Sequence, residues 1–383
     1  MITRRKVLLG ASGVVLAGVA GGSLFAATRT PHAARAPWQS PGALSADPRV
    51  AAMEWAVLAP NPHNRQPWLM AFNGNDEAQL YCQLDRRLPE TDPFDRQVLI
   101  GLGCFLELFI LAAQDQEYDV RVSPFPEGAP PVDGRLDARP IAHLQLVPSK
   151  GLAKDPLFQH APYRRSNKEA FDQDRALTAD TMMGFIKAAG GTAEGTVDPA
   201  KVAALREVAW QAWQVEANTP RTHQESVNLM RIGKSEINRS PDGIDLGGAF
   251  LETLAVAGLL TRETLADPNS TAFKSGEDMY KGLIGSSQGF IWLTSDDDSR
   301  TAQLQAGRDW LRLNLAATGA GVATQPLSQA LQEFPEMAGP FADVHDTLGV
   351  ETPRRVQMLA RIGYGPEVPP SPRWPASTRM VSV

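Results

Sequence analysis

From residue 47 onward, apolar and polar positions fall into two runs of elements in a similar order. Val50, Met53 and Val57 share one face at helical spacing behind Asp47-Pro48. Asp47 offers an N-cap oxygen, and Pro48 fills the first helical position, where a missing N–H costs nothing. This helix is expected to stop at Ala59-Pro60. Trp68–Phe72 reads as a strand ended by Asn73-Gly74, with Gln79–Leu84 as its antiparallel partner. Val98–Ala113 is apolar almost all round, which predicts a central helix buried on most sides. Tyr118–Val122 and Ile141–Val147 close this half as strands.

A connector at Pro148–Pro162 follows, and then the order recurs. Asp198-Pro199 repeats the cap and proline, ahead of the stripe Leu205, Val208, Ala209, Ala212 and Trp213. Residues 218–288 mix short helical patterns with Gly, Ser, Asn and Pro, as expected of an excursion or lid. Phe290–Thr294 is a strand and Thr301–Thr318 a long helix with Leu304, Arg308, Leu311 and Leu315 along one edge. Leu359–Tyr364 is a last strand before a proline-rich tail. A long helix behind a strand pair in both halves points to a diverged internal duplication.

The N-terminus changes the picture from fold to address. Thr3-Arg4-Arg5-Lys6-Val7-Leu8-Leu9 precedes an uncharged run from Val7 to Ala27, which reads as a secretory signal with a twin-arginine motif. The run is long enough to span a membrane, so a retained tether is the alternative; its five glycines weaken a spanning helix. Ala34-Arg35-Ala36 fits a small-residue cleavage pattern, although Pro37 directly behind it hinders cutting. The expected divisions are a signal segment at 1–36, a linker at 37–46, a first half at 47–150 and a second half at 151–375 containing the 218–288 excursion. Export by the twin-arginine machinery implies a periplasmic or exported protein, and a protein that folds, with any cofactor, before it leaves the cytoplasm.

With 43% hydrophobic and 21% charged residues the 383-residue chain fills a sizeable core, which excludes a disordered or fibrous protein. Residues 1–36 hold five cations and no acid, so the formal net charge of −6 becomes −11 without them. An acidic body with no Lys/Arg stripe argues against nucleic acid as a partner. Cys82 and Cys104 have no partners at metal-ligand spacing and read as small buried thiols. Gly285-Ser286-Ser287-Gln288-Gly289 matches a hydrolase elbow by letter, but its strand comes after the motif rather than before it.

Three segments carry candidate chemistry. Ala59-Pro60-Asn61-Pro62-His63-Asn64-Arg65-Gln66-Pro67-Trp68 puts three carboxamides, which donate and accept, beside a cation and an imidazole. A flat ligand edge alternating C=O and N–H needs that mixture; a rigid turn satisfying its own backbone is the other reading. Tyr163-Arg164-Arg165-Ser166-Asn167-Lys168-Glu169-Ala170-Phe171 gathers three cations and a hydroxyl, which match a phosphate dianion or form a solvated basic run. Arg373 stands alone in the frame Pro369–Pro375.

Together these segments resemble the nitroreductase-like flavoprotein superfamily, and within it the double-length Acg-like branch. The A-P-x-x-H-N-x-Q-P-W signature stands at Ala59–Trp68, and the R-x-S/T-x-R/K-x-x-F phosphate motif at Arg164, Ser166, Lys168 and Phe171. The stretch from Gln305 to Val322 resembles the helix beneath the flavin, Gln325-Pro326-Leu327 the next strand and loop, and Arg361–Gly365 with Pro372-Arg373 the closing strand and its arginine. The resemblance implies an α+β fold of mixed, mostly antiparallel sheets flanked by helices. It implies two pseudo-repeated halves in one chain, a monomer with an internal pseudo-dimer, and FMN at the interface of the halves. Arg164, Ser166, Lys168 and Arg373 would hold the phosphate, with Arg165 assisting or facing solvent. His63, Asn64, Arg65 and Gln66 would line the isoalloxazine edge. Arg65 stands where a small residue is expected, next to the flavin N1 and C2 oxygen.

The function implied is an FMN-dependent oxidoreductase that reduces a small acceptor, such as a nitro compound or quinone, by hydride transfer through flavin N5. NAD(P)H or another electron donor is expected to serve it; the periplasm holds little NAD(P)H, so an exported reductase needs another donor. No residue stands out as a general acid. A covered flavin favours a non-catalytic FMN-binding protein instead, and an eroded site would leave an export-pathway binding module.

Overall fold

The computed structural model describes residues 28–43 and 45–382. The twin-arginine motif and its apolar run lie outside the described residues. The helices are α1 (His32–Arg35), α2 (Pro48–Ala56), α3 (Arg96–Asp115), α4 (Ala179–Ala189), α5 (Pro199–Asn218), α6 (Pro220–Leu229), α7 (Gly233–Arg239), α8 (Ala249–Val256), α9 (Arg262–Ala266), α10 (Thr271–Gly285), α11 (Arg300–Gly319) and α12 (Ala338–Leu348). Both aspartate-proline starts form as expected. Asp47 accepts from Arg49 N at 2.9 Å and Asp198 from Lys201 N at 2.9 Å.

The first sheet has the order β11-β1-β2-β4-β3, with β1 Trp68–Asn73, β2 Glu77–Cys82, β3 Tyr118–Pro124, β4 Ala142–Pro148 and β11 Met380–Val381. All its pairs are antiparallel except β1 with β11, where Met70 faces Met380. The second sheet has the order β5-β8-β10-β9, all antiparallel, with β5 Ala193–Thr196, β8 Gly289–Ser295, β9 Ala323–Pro326 and β10 Arg355–Gly363. A two-stranded parallel ribbon of β6 (Met230–Ile232) and β7 (Ile244–Leu246) lies in the excursion. The fold is therefore α+β with mixed, mostly antiparallel sheets between helices.

Strand order is shared between the sheets. In chain order each has two strands, a long helix and two more strands, laid out in space as first, second, fourth, third. The two long helices, α3 and α11, pack on each other in the middle of the molecule. Gly103 and Gly307 face one another there: a Cβ on Gly103 would collide with the Leu304 carbonyl, and one on Gly307 with the Ile100 carbonyl. Only glycine permits so close a backbone approach. Cys104 Sγ donates to Gly307 O at 3.1 Å across the crossing. Next to it, buried Glu107 pairs with Arg308 at 2.8 Å and Arg312 at 3.1 Å. Arg308, expected along an apolar edge, thus serves as an interhelical ion pair.

α3 is apolar and long enough to cross a membrane, but it lies inside the fold. Its residues join one large core with α2, α4, α11 and the first sheet. The second sheet is covered on both faces: Ile291 and Leu293 of β8 point into that core, Phe290 and Trp292 into a second one with α5 and α12. Cys82 and Cys104 are free and buried, and burial pushes both thiols up.

Candidate functional site

The segment between α2 and β1 folds back on itself. His63, Asn64 and Gln66 all have left-handed backbones, at φ 47°, 52° and 51°. Each costs about 1–3 kcal/mol and has to be held by its surroundings. Asn61 holds the turn: its Oδ1 accepts from Gln66 N at 2.6 Å and its Nδ2 donates to Ala59 O at 3.2 Å. Pro62 and Asn61 rest on Gly101 of α3, where a Cβ would sit about 3.0–3.1 Å from them.

The carboxamides were expected to read a ligand edge, and the structure commits them to the protein. Gln66, fully buried, donates to Pro241 O at 2.6 Å and accepts from Trp374 N at 2.9 Å. Asn64 accepts from Arg373 Nη1 at 2.6 Å and donates to Pro372 O at 3.1 Å. They bind three distant segments together. Arg65 likewise pairs with Asp242 at 2.9 Å and donates to the carbonyls of Asp85 and Arg86. Asp242 is also bound by Arg86 at 3.1 Å and Arg231 at 3.2 Å, so one buried carboxylate takes three guanidiniums. With Gly243 N donating to Asn64 O at 3.2 Å, the 230–247 part of the excursion is fastened over the 61–66 loop.

His63 is different. Its Nδ1 is buried without a partner among the described residues, and its pKa is pushed down to about 4 by burial, then by the positive charges of Lys168 and Arg65. At neutral pH it is an uncharged imidazole. The charge of Lys168, from the second motif, is among those that act on it.

The 164–171 segment is set by buried Arg361 of β10. Its guanidinium donates to Gln325 Oε1 at 2.6 Å, Leu283 O at 2.9 Å, Ser286 Oγ at 3.1 Å and Glu169 O at 2.6 Å, and lies 3.8 Å from the Phe171 ring centroid. Asn167 N donates to Thr324 O of β9 at 2.9 Å. Gln325 Oε1 is taken by Arg361, and Leu327 lies in the second core. Pro326 pairs with Ala360 and is part of the β9 edge.

Arg164 and Arg373 converge on the end of the turn after α2. Arg164 donates to Leu58 O at 3.0 Å; Arg373 donates to Leu58 O at 3.2 Å and Ala59 O at 2.9 Å. Arg165 donates only to Pro162 O and Arg164 O. No carboxylate hydrogen-bonds to any of the three among the described residues. Burial lowers the pKa of all three, that of Arg164 to about 10, helped by repulsion from Arg165 on Arg164, from Arg35 on Arg165, and from Arg164 and Arg165 on Arg373; Glu367 offsets part of it at Arg165. Among the described residues Arg373 Nε is a buried donor without an acceptor. Lys168 is exposed; nearby protein lowers its pKa by desolvation and Asp245 of β7 raises it. Ser166 and Lys168 make no hydrogen bond among the described residues.

The structure thus brings Asn64, Gln66, Arg164, Arg165 and Arg373 near one another, with His63 and Lys168 beside them; among the described residues His63 Nδ1, Ser166, Lys168 and Arg373 Nε make no hydrogen bond. Together they offer cations beside one neutral imidazole. Sequence reasoning did not identify Asp242 and Asp245, which sit in an irregular stretch whose only signal is the Pro241-Asp242-Gly243 turn, nor Asn314 under Arg164 at 3.3 Å.

No family model matches the chain. It is similar to two Mycobacterium tuberculosis proteins, Rv3131 of strain H37Rv and MT3217 of strain CDC 1551, each provisionally named an NAD(P)H nitroreductase. It is 25% identical to each over 332 residues, which is 83% of this chain and 86% of the relative. Among solved structures it aligns with the FMN-dependent nitroreductase NfnB of Mycobacterium smegmatis in complex with NADPH, at 18% identity over 55% of this chain and 89% of that one, with a TM-score of 0.33. Oxidized iodotyrosine deiodinase bound to FMN and 3-iodo-L-tyrosine aligns at 13% identity over 57% of this chain and 94% of that one, with a TM-score of 0.31. Over most of its length, then, the chain is similar in sequence to proteins named as nitroreductases.

Proposed function

We propose that the protein is an FMN-dependent oxidoreductase of the nitroreductase type, on the double-length Acg-like pattern, which reduces a small acceptor such as a nitro compound or quinone with NAD(P)H or another donor. One observation carries the reading. Two stretches about a hundred residues apart, 61–66 and 164–168, meet around a guanidinium cluster to which no carboxylate hydrogen-bonds among the described residues. Its unpartnered donor, Arg373 Nε, fits the phosphate of FMN.

Lys168, Ser166 and Arg373 Nε would hold the phosphate, and His63 would lie beside the ring system. Bound FMN would supply the hydride chemistry that the side chains lack. The chain's own contributions are charge and orientation. Arg164 and Arg373 keep the site positive while their carbonyl partners fix them in place. Neutral His63 offers a ring nitrogen for donating or accepting a hydrogen bond, according to tautomer. Asn61, Asn64 and Gln66 hold the strained turn that aims it. Export by the twin-arginine route to the periplasm, with or without a retained tether, remains part of this proposal on the strength of Arg4-Arg5 and the apolar run behind them.

A second reading has its own observation. The Asp242 cluster and the Gln66–Pro241 bond fasten the excursion onto the loop, as in a protein that keeps FMN covered and does not turn it over. The absorbance of bound flavin before and after NADPH separates the two: bleaching supports the oxidoreductase, and a yellow inert sample supports sequestration. The test of the site is the Ser166→Ala, Lys168→Ala double variant. It removes no hydrogen bond of the fold and should lose FMN while melting like the wild type. Unchanged FMN affinity would place the phosphate elsewhere.

A further inference from the structure

The segment ahead of α2, expected to be a leader end and a spacer, is seated on the guanidinium cluster. α1 is followed by a tight turn at Ala36–Trp38. Ala34 is buried, its N–H donating to Asn238 Oδ1 at 3.1 Å and its carbonyl accepting from Arg373 N at 2.7 Å. The Trp38 indole N–H donates to Ser371 O at 2.8 Å. Upstream, Arg29 pairs with Glu252 at 3.1 Å and Lys234 Nζ donates to Thr28 O at 2.9 Å. The strap is thus fixed to the excursion on one side and to the proline-rich tail on the other.

What it brings to the site is an aromatic face and a fourth guanidinium. The Trp38 ring centroid lies 4.8 Å from the Arg165 guanidinium, 5.5 Å from that of Arg373 and 5.8 Å from that of Arg164. Arg35 reaches Asp245 through one terminal nitrogen at 3.4 Å, a long contact, and its Nε is buried without a partner. Arg35 is close enough to repel the charge of Arg165. Asp245 also attracts Lys168, so one carboxylate is shared by cations from two segments.

The geometry points to Arg35 and Trp38 as cofactor-binding residues supplied by the N-terminal strap: Arg35 as a further guanidinium for a phosphate monoester, Trp38 as the aromatic surface on which three others are spread. This rests on the FMN reading of the same site. A phosphate dianion accepts from guanidinium forks that carbonyls satisfy only in part, and stacking on Trp38 keeps those forks apart. Residues 32–39 therefore belong to the working protein, because cutting after Ala36 would remove Arg35 and both hydrogen bonds of Ala34.

The test compares the full chain with Arg35→Gln, Trp38→Ala and a chain beginning at Pro37, each checked by circular dichroism. Each is titrated with FMN and with riboflavin, which lacks the phosphate, and melted with and without inorganic phosphate. Arg35→Gln and the shortened chain should bind FMN about tenfold more weakly or worse, with riboflavin unaffected. Trp38→Ala should narrow the FMN-over-riboflavin preference. Wild-type FMN affinity in Arg35→Gln overturns the role of Arg35, and a lower melting temperature with an unchanged preference overturns that of Trp38. If the full chain binds neither flavin, the FMN reading falls. In that case stabilisation by inorganic phosphate that Arg35→Gln abolishes still supports an anion site on the strap, and no such stabilisation overturns it.

Discussion

The first half, 48–148, and the second, 179–363, carry the same four-strand order around one long helix, yet they differ at two junctions. Between its leading helix and first strand, the first half has the strained Val57–Pro67 segment with its imidazole and carboxamides. The second half has only Gly190-Gly191-Thr192 there. Between its first two strands, the first half turns through 74–76. The second half inserts 197–288, whose Asp242 and Pro241 then close over the first half's loop. One half supplies the loop and the other its cover, so under the proposed reading two stretches with the same strand order form a single composite site.

If the halves are locked at the α3–α11 crossing, Gly307→Leu should abolish folding, since relief requires the Ile100 carbonyl to move and backbone is stiffer than side chain. Soluble expression with a wild-type urea midpoint would show that the halves are joined elsewhere. Asp242→Asn leaves Arg65, Arg86 and Arg231 without their shared carboxylate. It should cost about 3 kcal/mol, felt chiefly as opening of 230–247 and read as faster proteolysis there. Unchanged proteolysis would mean that the cover is held by other contacts. Gln66→Ala removes bonds to Pro241 and Trp374 and should cost about 1–3 kcal/mol, measured by chemical denaturation.

The last effect appears only on titration. An unfolded histidine takes up a proton below about 6.5, whereas folded His63 holds off until about 4. Between those values the unfolded state binds more protons, so stability falls as pH drops through that window. His63→Gln should flatten this slope and leave stability at pH 8 nearly unchanged. An identical slope in the variant would mean that His63 is not desolvated.

Much of the frame was legible because periodicity reports burial: the two aspartate-proline starts, the all-apolar α3 and the β1–β2 hairpin each follow from a local pattern. α12 was not seen, because Pro340 and Gly339 near its start mask a short helical stripe that only the second core explains. In the site, residue types identified the segments but not the partners. Asn61, Asn64, Gln66 and Arg65 have the chemistry of ligand contacts, and they spend it on the chain itself, because a left-handed turn buried under an excursion leaves polar groups that must be satisfied internally. Nothing local in the sequence distinguishes a carboxamide facing a ligand from one facing the Pro241 carbonyl a hundred and seventy-five positions away.

The composite-site account is tested most directly by flavin stoichiometry. Purified full-length protein saturated with FMN and desalted should retain one flavin per chain, lost in the Ser166→Ala, Lys168→Ala variant. Two flavins per chain, or one that this variant still holds, would contradict it.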